Sequence, residues 1–181
     1  MTIGVGLSKG DTAETTFTWT IEDWKNRPEK FDEELLSASF TATGPDDILS
    51  TWQLKLYPKG DRDDARDSVS VYLISLNSFS NKAKYNLYII KRGNQKTGRN
   101  RFVPYEFPPY DGNEDNRWGT RNFVEIQTFQ NNLELLPDGN LTLFCELTVM
   151  GPEKILTGSK YPEEKVVPRG NCLQQISDHW H

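Results

Sequence analysis

Cysteine, histidine and long apolar runs are all scarce in this chain of 181 residues. The two histidines, His179 and His181, are too few for a closed metal site, and two cysteines do not suggest a disulfide framework. No apolar run approaches the roughly 20 residues that cross a bilayer, and residues 1–14 lack the apolar centre of a secretion signal. We therefore expect a nuclear or cytoplasmic protein with reduced thiols and no membrane partner.

An excess of basic residues is also absent. The formal net charge is −5, which opposes the counterion release that drives nucleic-acid binding, so nucleic acid is not an expected partner. Five basic residues nevertheless cluster between residues 91 and 101. Such a stretch can contact an acidic partner, but we interpret it as a mobile, soluble loop. The five residues are Lys91, Arg92, Lys96, Arg99 and Arg101.

What the chain has instead is a repeated alternation of apolar and polar residues. In residues 141–149, LTLFCELTV, the odd-numbered residues are all apolar or cysteine, which is the period of a half-buried β-strand. The turn Pro137-Asp138-Gly139 precedes this strand. We therefore expect a strand that begins after Gly139 and turns Cys145 into the core.

Six further segments show the same period and are separated by turn-forming residues. They are residues 17–21, 36–42, 52–56, 69–76, 83–89 and 123–129. Segment 69–76 is apolar on both faces, which predicts a central strand. No long helical period separates the segments, so a parallel α/β fold is disfavoured. The pattern predicts an all-β antiparallel sandwich of about seven to eight strands.

The length of the chain fits one domain with extensions at both ends. We expect residues 1–14 to be a disordered leader and residues 15–151 to form the sandwich. Residues 152–181 would then be a C-terminal connector. In that connector Leu173, Ile176 and Trp180 are spaced three and four apart, which predicts a short helix.

Five segments of the chain together match the pattern of one protein family. They are FTWTI at 17–21, LYPKG at 56–60, the strand at 69–73, Trp118-Gly119 followed by Phe123, and LLPDGNLTLFCELTV at 135–149. In this order they resemble the MATH (meprin and TRAF-C homology) domain over residues 15–151. Within the family they are most similar to the speckle-type POZ adaptors. Val167-Pro168, Cys172-Leu173 and Trp180 resemble the connector that leads to a BTB/POZ domain in those adaptors.

The resemblance implies a recognition module without catalytic residues, metal or cofactor. In the speckle-type POZ group the MATH domain binds short, extended, Ser/Thr-containing segments of target proteins. A BTB domain engages a cullin scaffold so that the target is ubiquitinated. This chain would then contact a cullin only through a BTB domain that it does not contain. An extended peptide suits a β-sheet, because main-chain bonds give affinity and pockets select alternate side chains.

The resemblance aligns the residues that line the family's peptide groove with seven positions of this chain. They are Ser68, Tyr85, Tyr110, Trp118, Gly119, Thr120 and Arg121. Arg121 replaces a lysine and keeps its charge, whereas Ser68 and Thr120 replace a tyrosine and a phenylalanine. The resemblance therefore implies a groove whose specificity is altered, since aromatic anchors carry much of the energy of such interfaces.

Simpler interpretations of the same residues stay open. By strand period alone Tyr85 is a core residue, Trp118 seals an end of the sandwich and Arg121 is a surface charge. The acidic residues between 61 and 67 lack the glycine and distal glutamate of a calcium loop and indicate a solvated hairpin. Two alternative functions are a TRAF-like signalling or scaffold module and the MATH domain of a ubiquitin-specific protease.

Overall fold

The computed structural model describes residues 12–112 and 116–151, and these form nine β-strands and one short α-helix. The strands are β1 Thr12–Ile21, β2 Leu35–Leu36, β3 Phe40–Thr43, β4 Leu49–Tyr57, β5 Ser68–Ser75, β6 Asn81–Lys91, β7 Gln95–Phe107, β8 Arg117–Glu125 and β9 Leu141–Met150. The α-helix, α1, is Ile126–Asn131. Short 3-10 turns cover Trp24–Asn26, Pro45–Asp47, Asp63–Ala65, Leu133–Leu135 and Pro137–Gly139. None of the helices in this described part has the length and hydropathy needed to cross a membrane.

The strands form two sheets that pack face to face. One sheet has the order β1-β9-β6-β7, and the other has the order β2-β4-β5-β8 with β3 also paired to β4. Every pairing between the described strands is antiparallel. The prediction of an all-β antiparallel sandwich is thus confirmed, with nine strands where about seven to eight were expected.

The core lies between the two sheets and is built from the alternate residues that the sequence pattern indicated. In β9, Leu141, Leu143, Cys145 and Leu147 are fully buried while the residues between them are partly exposed. β5 is central between β4 and β8, and all eight of its residues are buried. The predictions for these two strands are thus confirmed. Burial of the inner side chains removes apolar surface from water, which stabilises the packing of the two sheets.

The predicted strand at 36–42 is wrong in extent, because it is split into β2 and β3. Between them the Ser37 hydroxyl accepts a hydrogen bond from the Leu54 N–H at 3.0 Å. A side-chain oxygen thus replaces a backbone carbonyl as the acceptor at this point of the sheet. Leu36 is 48 % exposed and Ala38 is also exposed, so these two do not share a buried face with Ala42.

The predicted strand at 123–129 is also wrong, because β8 ends at Glu125 and α1 follows. The Ile126 N–H donates to the Asp67 carbonyl at 2.9 Å as the chain leaves the sheet. Phe123 and Phe129 are both buried as the pattern suggested, but in different elements. Phe129 packs on Trp24 with ring centroids 5.5 Å apart.

The interpretation of residues 91–101 as a mobile loop is wrong. These residues are the end of β6, a tight turn and the first half of β7, with Lys91 opposite Gln95. Gly93 and Asn94 both have positive φ, at 78° and 57°, as a hairpin turn requires. The Gly93-Asn94 pair could therefore have indicated a β-hairpin from the sequence alone. The strand itself is polar because β7 lies at a sheet edge.

The predicted boundaries at the two ends have mixed outcomes. Residues 12–14, assigned to the leader, form the start of β1, where Thr12 lies opposite Met150. The rest of the leader lies outside the described residues. The same holds for the connector at 152–181, with its predicted helix and Cys172.

Candidate functional site

Two edge strands meet on one side of the sandwich. β7 ends one sheet and β8 ends the other, and Tyr105 of β7 stacks on Trp118 of β8 with ring centroids 4.4 Å apart and planes 4° apart. An edge strand keeps one row of backbone N–H and C=O groups free for pairing with another chain. We call β7, β8 and the Tyr105–Trp118 stack between them the edge site.

The aromatic stack is anchored in the core. Tyr105 packs edge-on against Phe107 at 5.0 Å, and Phe107 packs edge-on against Trp52 at 5.1 Å. Phe107 and Trp52 are fully buried. Because close-packed rings have little freedom to move, the Trp118 ring is held in place before any ligand arrives.

Tyr85 lies beneath the edge site and does not line its surface. Its side chain is 1 % exposed and stacks on Phe102 at 4.3 Å. Its hydroxyl donates a hydrogen bond to the Trp118 carbonyl oxygen. Burial raises the pKa of Tyr85 well above its usual range, so the hydroxyl stays a donor. The ring thus packs in the core, as the strand period alone indicated, and its hydroxyl fixes the backbone of Trp118; a part for Tyr85 in peptide binding stays a prediction.

Trp118 lies on the inner face of its sheet, opposite Leu73 of β5. Its indole Nε1 and Asn116 Oδ1 are the two buried side-chain atoms that lack a hydrogen-bond partner within the described ranges. An unpaired buried polar group costs about 1–3 kcal/mol. Because Nε1 is itself buried, a ligand at the surface meets the exposed part of the indole ring and not this N–H.

Gly119 is required by the neighbouring strand. A Cβ atom placed there would lie 2.1 Å from the Val71 carbonyl oxygen and 2.7 Å from Tyr72 Cα. Backbone atoms cannot give way at such distances, so any side chain at this position forces β5 and β8 apart. The fold itself excludes larger residues at Gly119, whether or not a peptide binds nearby.

The outer face of β8 carries a charged network. The Arg117 guanidinium lies over the Tyr72 ring at 4.4 Å and donates to the Tyr57 hydroxyl at 2.9 Å. Asp61 accepts from the Tyr72 hydroxyl at 2.7 Å and lies 3.6 Å from Arg117. Burial raises the pKa of Tyr57 to about 12. These contacts hold β8 against β4 and β5, and they occupy Arg117 within the fold.

Two of the other predicted positions, Thr120 and Arg121, come two and three residues after Trp118 and are at least partly exposed. Arg121 forms an ion pair with Asp64 at 3.3 Å, and both side chains are exposed, so the pair is weak and can be replaced. Thr120 is partly exposed, and its hydroxyl accepts a hydrogen bond from the Asn122 N–H at 3.2 Å.

The remaining two positions, Tyr110 and Ser68, lie outside β8. Tyr110 is 39 % exposed in the segment after β7, where its N–H donates to the Asn77 carbonyl at 2.7 Å. Ser68 lies opposite Glu125 at the far end of β8, three residues along β5 from Val71, the partner of Thr120. That separation is about 10 Å along the strand. The structure thus places Trp118 and Thr120 opposite the inner residues Leu73 and Val71 of β5. It turns Arg121 toward Asp64 and leaves Ser68 at a distance along the strand.

Sequence reasoning missed Tyr105 and Phe102, which support the site from β7. Residues 102–107, FVPYEF, are rich in aromatic and β-branched side chains, a composition typical of strands. They do not follow a simple alternation, since Phe102 and Tyr105 stack on other rings while Val103 is 60 % exposed. Pro104 within this stretch is typical of an edge strand, since proline donates no ladder hydrogen bond.

Other chemistry that the sequence raised is placed elsewhere. The acidic residues near position 61 form protein contacts: Asp63 pairs with Arg66 at 2.6 Å, and Asp61 and Asp64 bind the partners given above. In the described ranges no group of three or more His, Cys, Asp or Glu side chains is placed to hold a metal ion. Cys145 is fully buried, and this burial strongly raises the pKa of its thiol, which makes it a poor nucleophile.

Two clefts of the sandwich are not lined by the Tyr105–Trp118 stack, although Glu106 of β7 lines the first of them. One of about 460 Å³ lies beside Phe79 and Val149, and one of about 450 Å³ lies between Trp24, Pro58 and Phe129. The edge site is a shallow strand surface, a shape that suits an extended chain better than a compact small molecule.

Comparison with known proteins gives two results. A family model described as "MATH domain" matches residues 16–147. A solved structure of Notothenia coriiceps TRAF5 is similar to this chain with a TM-score of 0.49 and 15 % sequence identity, over 78 % of this chain and 76 % of that one.

Proposed function

Because this chain belongs to the MATH domain family, a family of protein-interaction domains, we propose that its edge site binds a short, extended segment of a partner protein. The observation that supports this best is the anchored Tyr105–Trp118 stack, which lies where the edge strands of both sheets meet. Extended peptides bind sheet edges because the free backbone groups there supply main-chain hydrogen bonds.

The proposed ligand is a Ser/Thr-containing segment. Trp118 would supply apolar contact through the exposed part of its ring, and Arg121 would donate to peptide carbonyl or hydroxyl oxygens after leaving Asp64. Thr120 is smaller than the phenylalanine that the resemblance places at this position. We therefore propose that the peptide residue facing Thr120 is larger or differently shaped than the one that the speckle-type POZ adaptors accept.

We further propose that the domain is the recognition half of a cullin-RING ubiquitin-ligase adaptor. The cullin scaffold would be engaged by a BTB domain outside this chain. In gel filtration, this chain alone should not co-elute with a cullin, whereas a protein that joins it to a BTB domain should. Co-elution of this chain alone would contradict this part of the proposal and leave peptide binding unaffected.

Peptide binding is tested with a Ser/Thr peptide selected on an array and then measured in solution by fluorescence anisotropy with the full chain. Trp118→Ala should remove an anchor worth about 2 kcal/mol, which is about a thirtyfold loss of affinity. The change removes the aromatic ring whose exposed part would contact the peptide.

The matched control is Phe17→Ala. Phe17 stacks on Phe40 at 4.2 Å across the opposite pair of sheet edges, β1 and β3, so this variant also loses a stack between the sheets. It should keep the wild-type affinity. Equal losses in the two variants, or unchanged binding by a folded Trp118→Ala protein, would place the ligand elsewhere.

A further inference from the structure

Basic and acidic residues are strongly segregated along this acidic chain. Between Asp67 and Glu106 there is no acidic residue, although the net charge of the protein is −5. Seven basic residues lie in that interval: Lys82, Lys84, Lys91, Arg92, Lys96, Arg99 and Arg101. All of them belong to the β6–β7 hairpin, so the segregation in sequence becomes a concentration of positive charge in space.

Part of this charge lies on the outer face of the β1-β9-β6-β7 sheet. Lys84 and Asn86 face outward because Ala83, Tyr85 and Leu87 are buried, and Arg101 is paired with Asn86 across the strands. A depression of about 200 Å³ is lined there by residues of all four strands. Lys84, Asn86, Arg99, Arg101, Thr148 and Glu14 form its walls. We call these residues the basic face.

Three cations of the basic face are not neutralised by the part of the chain that the structure describes. Lys96 lies beside them but is paired with Glu146 at 2.7 Å, and Lys91 pairs with Glu134 at 3.8 Å. By contrast, no ion pair between described residues involves Lys84, Arg99 or Arg101. Arg99 donates only to the Asn86 side chain at 3.4 Å. Uncompensated like charges in one depression repel each other and attract an anionic ligand.

We propose that the basic face binds an acidic segment of a partner protein, in which carboxylates are spaced along an extended chain. Alternate side chains of such a segment lie about 7 Å apart, which allows successive carboxylates to reach separate cations. Asn86 and Thr148 provide neutral hydrogen-bonding groups between them. This surface lies outside the edge site, and the inference does not depend on the proposed function.

The distribution of negative charge favours a peptide over nucleic acid. Glu14 lines the same depression, and Glu146 lies on the same outer face beside Lys96. A DNA duplex carries one charge about every 1.7 Å and would bring phosphates against both carboxylates. A peptide with spaced carboxylates avoids them.

The inference is tested with the full chain and a fluorescein-labelled peptide that alternates glutamate and serine. Anisotropy should show binding that weakens as salt is added, because exposed charges are screened. Replacing Lys84, Arg99 and Arg101 together by glutamine should lower the affinity about tenfold, which corresponds to about 1.4 kcal/mol. Thermal unfolding followed by circular dichroism would show that the variant is folded.

The matched control removes the same charge from exposed sites elsewhere. The combined variant Lys25→Gln, Lys30→Gln and Arg62→Gln changes exposed residues of other segments and should bind the acidic peptide like the wild type. An equal loss in this control would show a general effect of net charge and overturn the inference. Tighter binding to a short DNA duplex or to anionic lipid vesicles than to the peptide would also overturn it.

The two proposed surfaces can fail separately. Trp118→Ala should leave binding of the acidic peptide unchanged, and the basic-face variant should leave binding of the Ser/Thr peptide unchanged. Loss of both activities in either variant would mean that one surface serves both ligands, which contradicts the inference.

Discussion

Single residues in the edge site are constrained mainly by their neighbours inside the fold. The Cβ that Gly119 lacks would collide with the backbone of β5, and the Tyr85 hydroxyl is committed to the Trp118 carbonyl. Both residues shape the surface that a peptide would meet, although neither presents a side chain to it. A mutation at either position therefore acts on binding through the geometry of β8.

Gly119→Ala should destabilise the protein by about 1–3 kcal/mol, because a methyl group must displace the Val71 carbonyl. Urea unfolding measures this change. The control is Gly44→Ala, where a Cβ would lie 3.2 Å from a Val149 methyl carbon and 3.3 Å from the Ile48 carbonyl oxygen. Because these distances are more than 1 Å longer than the 2.1 Å contact at Gly119, the loss should be smaller. Equal midpoints for Gly119→Ala and the wild type would show that β5 and β8 tolerate the extra atom.

At the scale of elements, the outer face of the β2-β4-β5-β8 sheet is held by side chains far apart in sequence. Arg117 of β8 reaches Tyr57 of β4, and Tyr72 of β5 reaches Asp61 in the turn before it. Lys55 adds an ion pair with Glu34 at 2.7 Å. The network connects β4, β5 and β8 and thereby keeps β8, a strand of the edge site, in register with β5.

This network makes stability fall at high pH. Burial raises the pKa of Tyr57 from 10.0 to about 12, so the folded state holds this proton to higher pH than the unfolded chain. The stability that Tyr57 contributes is therefore fully present below pH 10 and is lost as the pH rises toward 12.

The expected measurement is the urea midpoint at several pH values up to about 11. The wild-type midpoint should fall in that range, and the fall should be shallower in Tyr57→Phe because the variant has no hydroxyl to ionise. Replacing the exposed Tyr110 by phenylalanine should leave the slope unchanged. Parallel curves for Tyr57→Phe and the wild type would contradict the assignment.

At the scale of the whole molecule, the sandwich separates its stable interior from the two surfaces proposed to bind ligands. The core joins both sheets through residues such as Trp52, Leu73, Leu87 and Leu143, which are fully buried. The edge site and the basic face use strand edges and an outer sheet face, where side chains can change at little cost to this core. That division allows related sandwiches to keep one fold while their ligands differ.

Cys145 reports on the integrity of the whole sandwich. It is fully buried, and burial raises the pKa of its thiol, so alkylation near neutral pH requires the sheets to separate. Mass spectrometry of the peptide that contains Cys145 should show little modification of the native protein and complete modification in urea. Rapid modification under native conditions would indicate a core that opens without global unfolding.

The sequence by itself determined the strands that have one buried face, and with them the sandwich, because strand period is a local property that burial imposes on each segment. It also carried the family motifs and the inward position of Cys145. It did not reveal β7, whose polar edge-strand sequence has little of that period, or the break at Ser37, which depends on contact with Leu54.

Only the tertiary structure decided which residues meet. Strand order brings Tyr105 onto Trp118, sets Tyr85 beneath them and leaves Ser68 at the other end of β8. It also gathers the cations of β6 and β7 on one face. These contacts depend on the register between strands that are distant in the chain. The alternation within one segment does not predict that register.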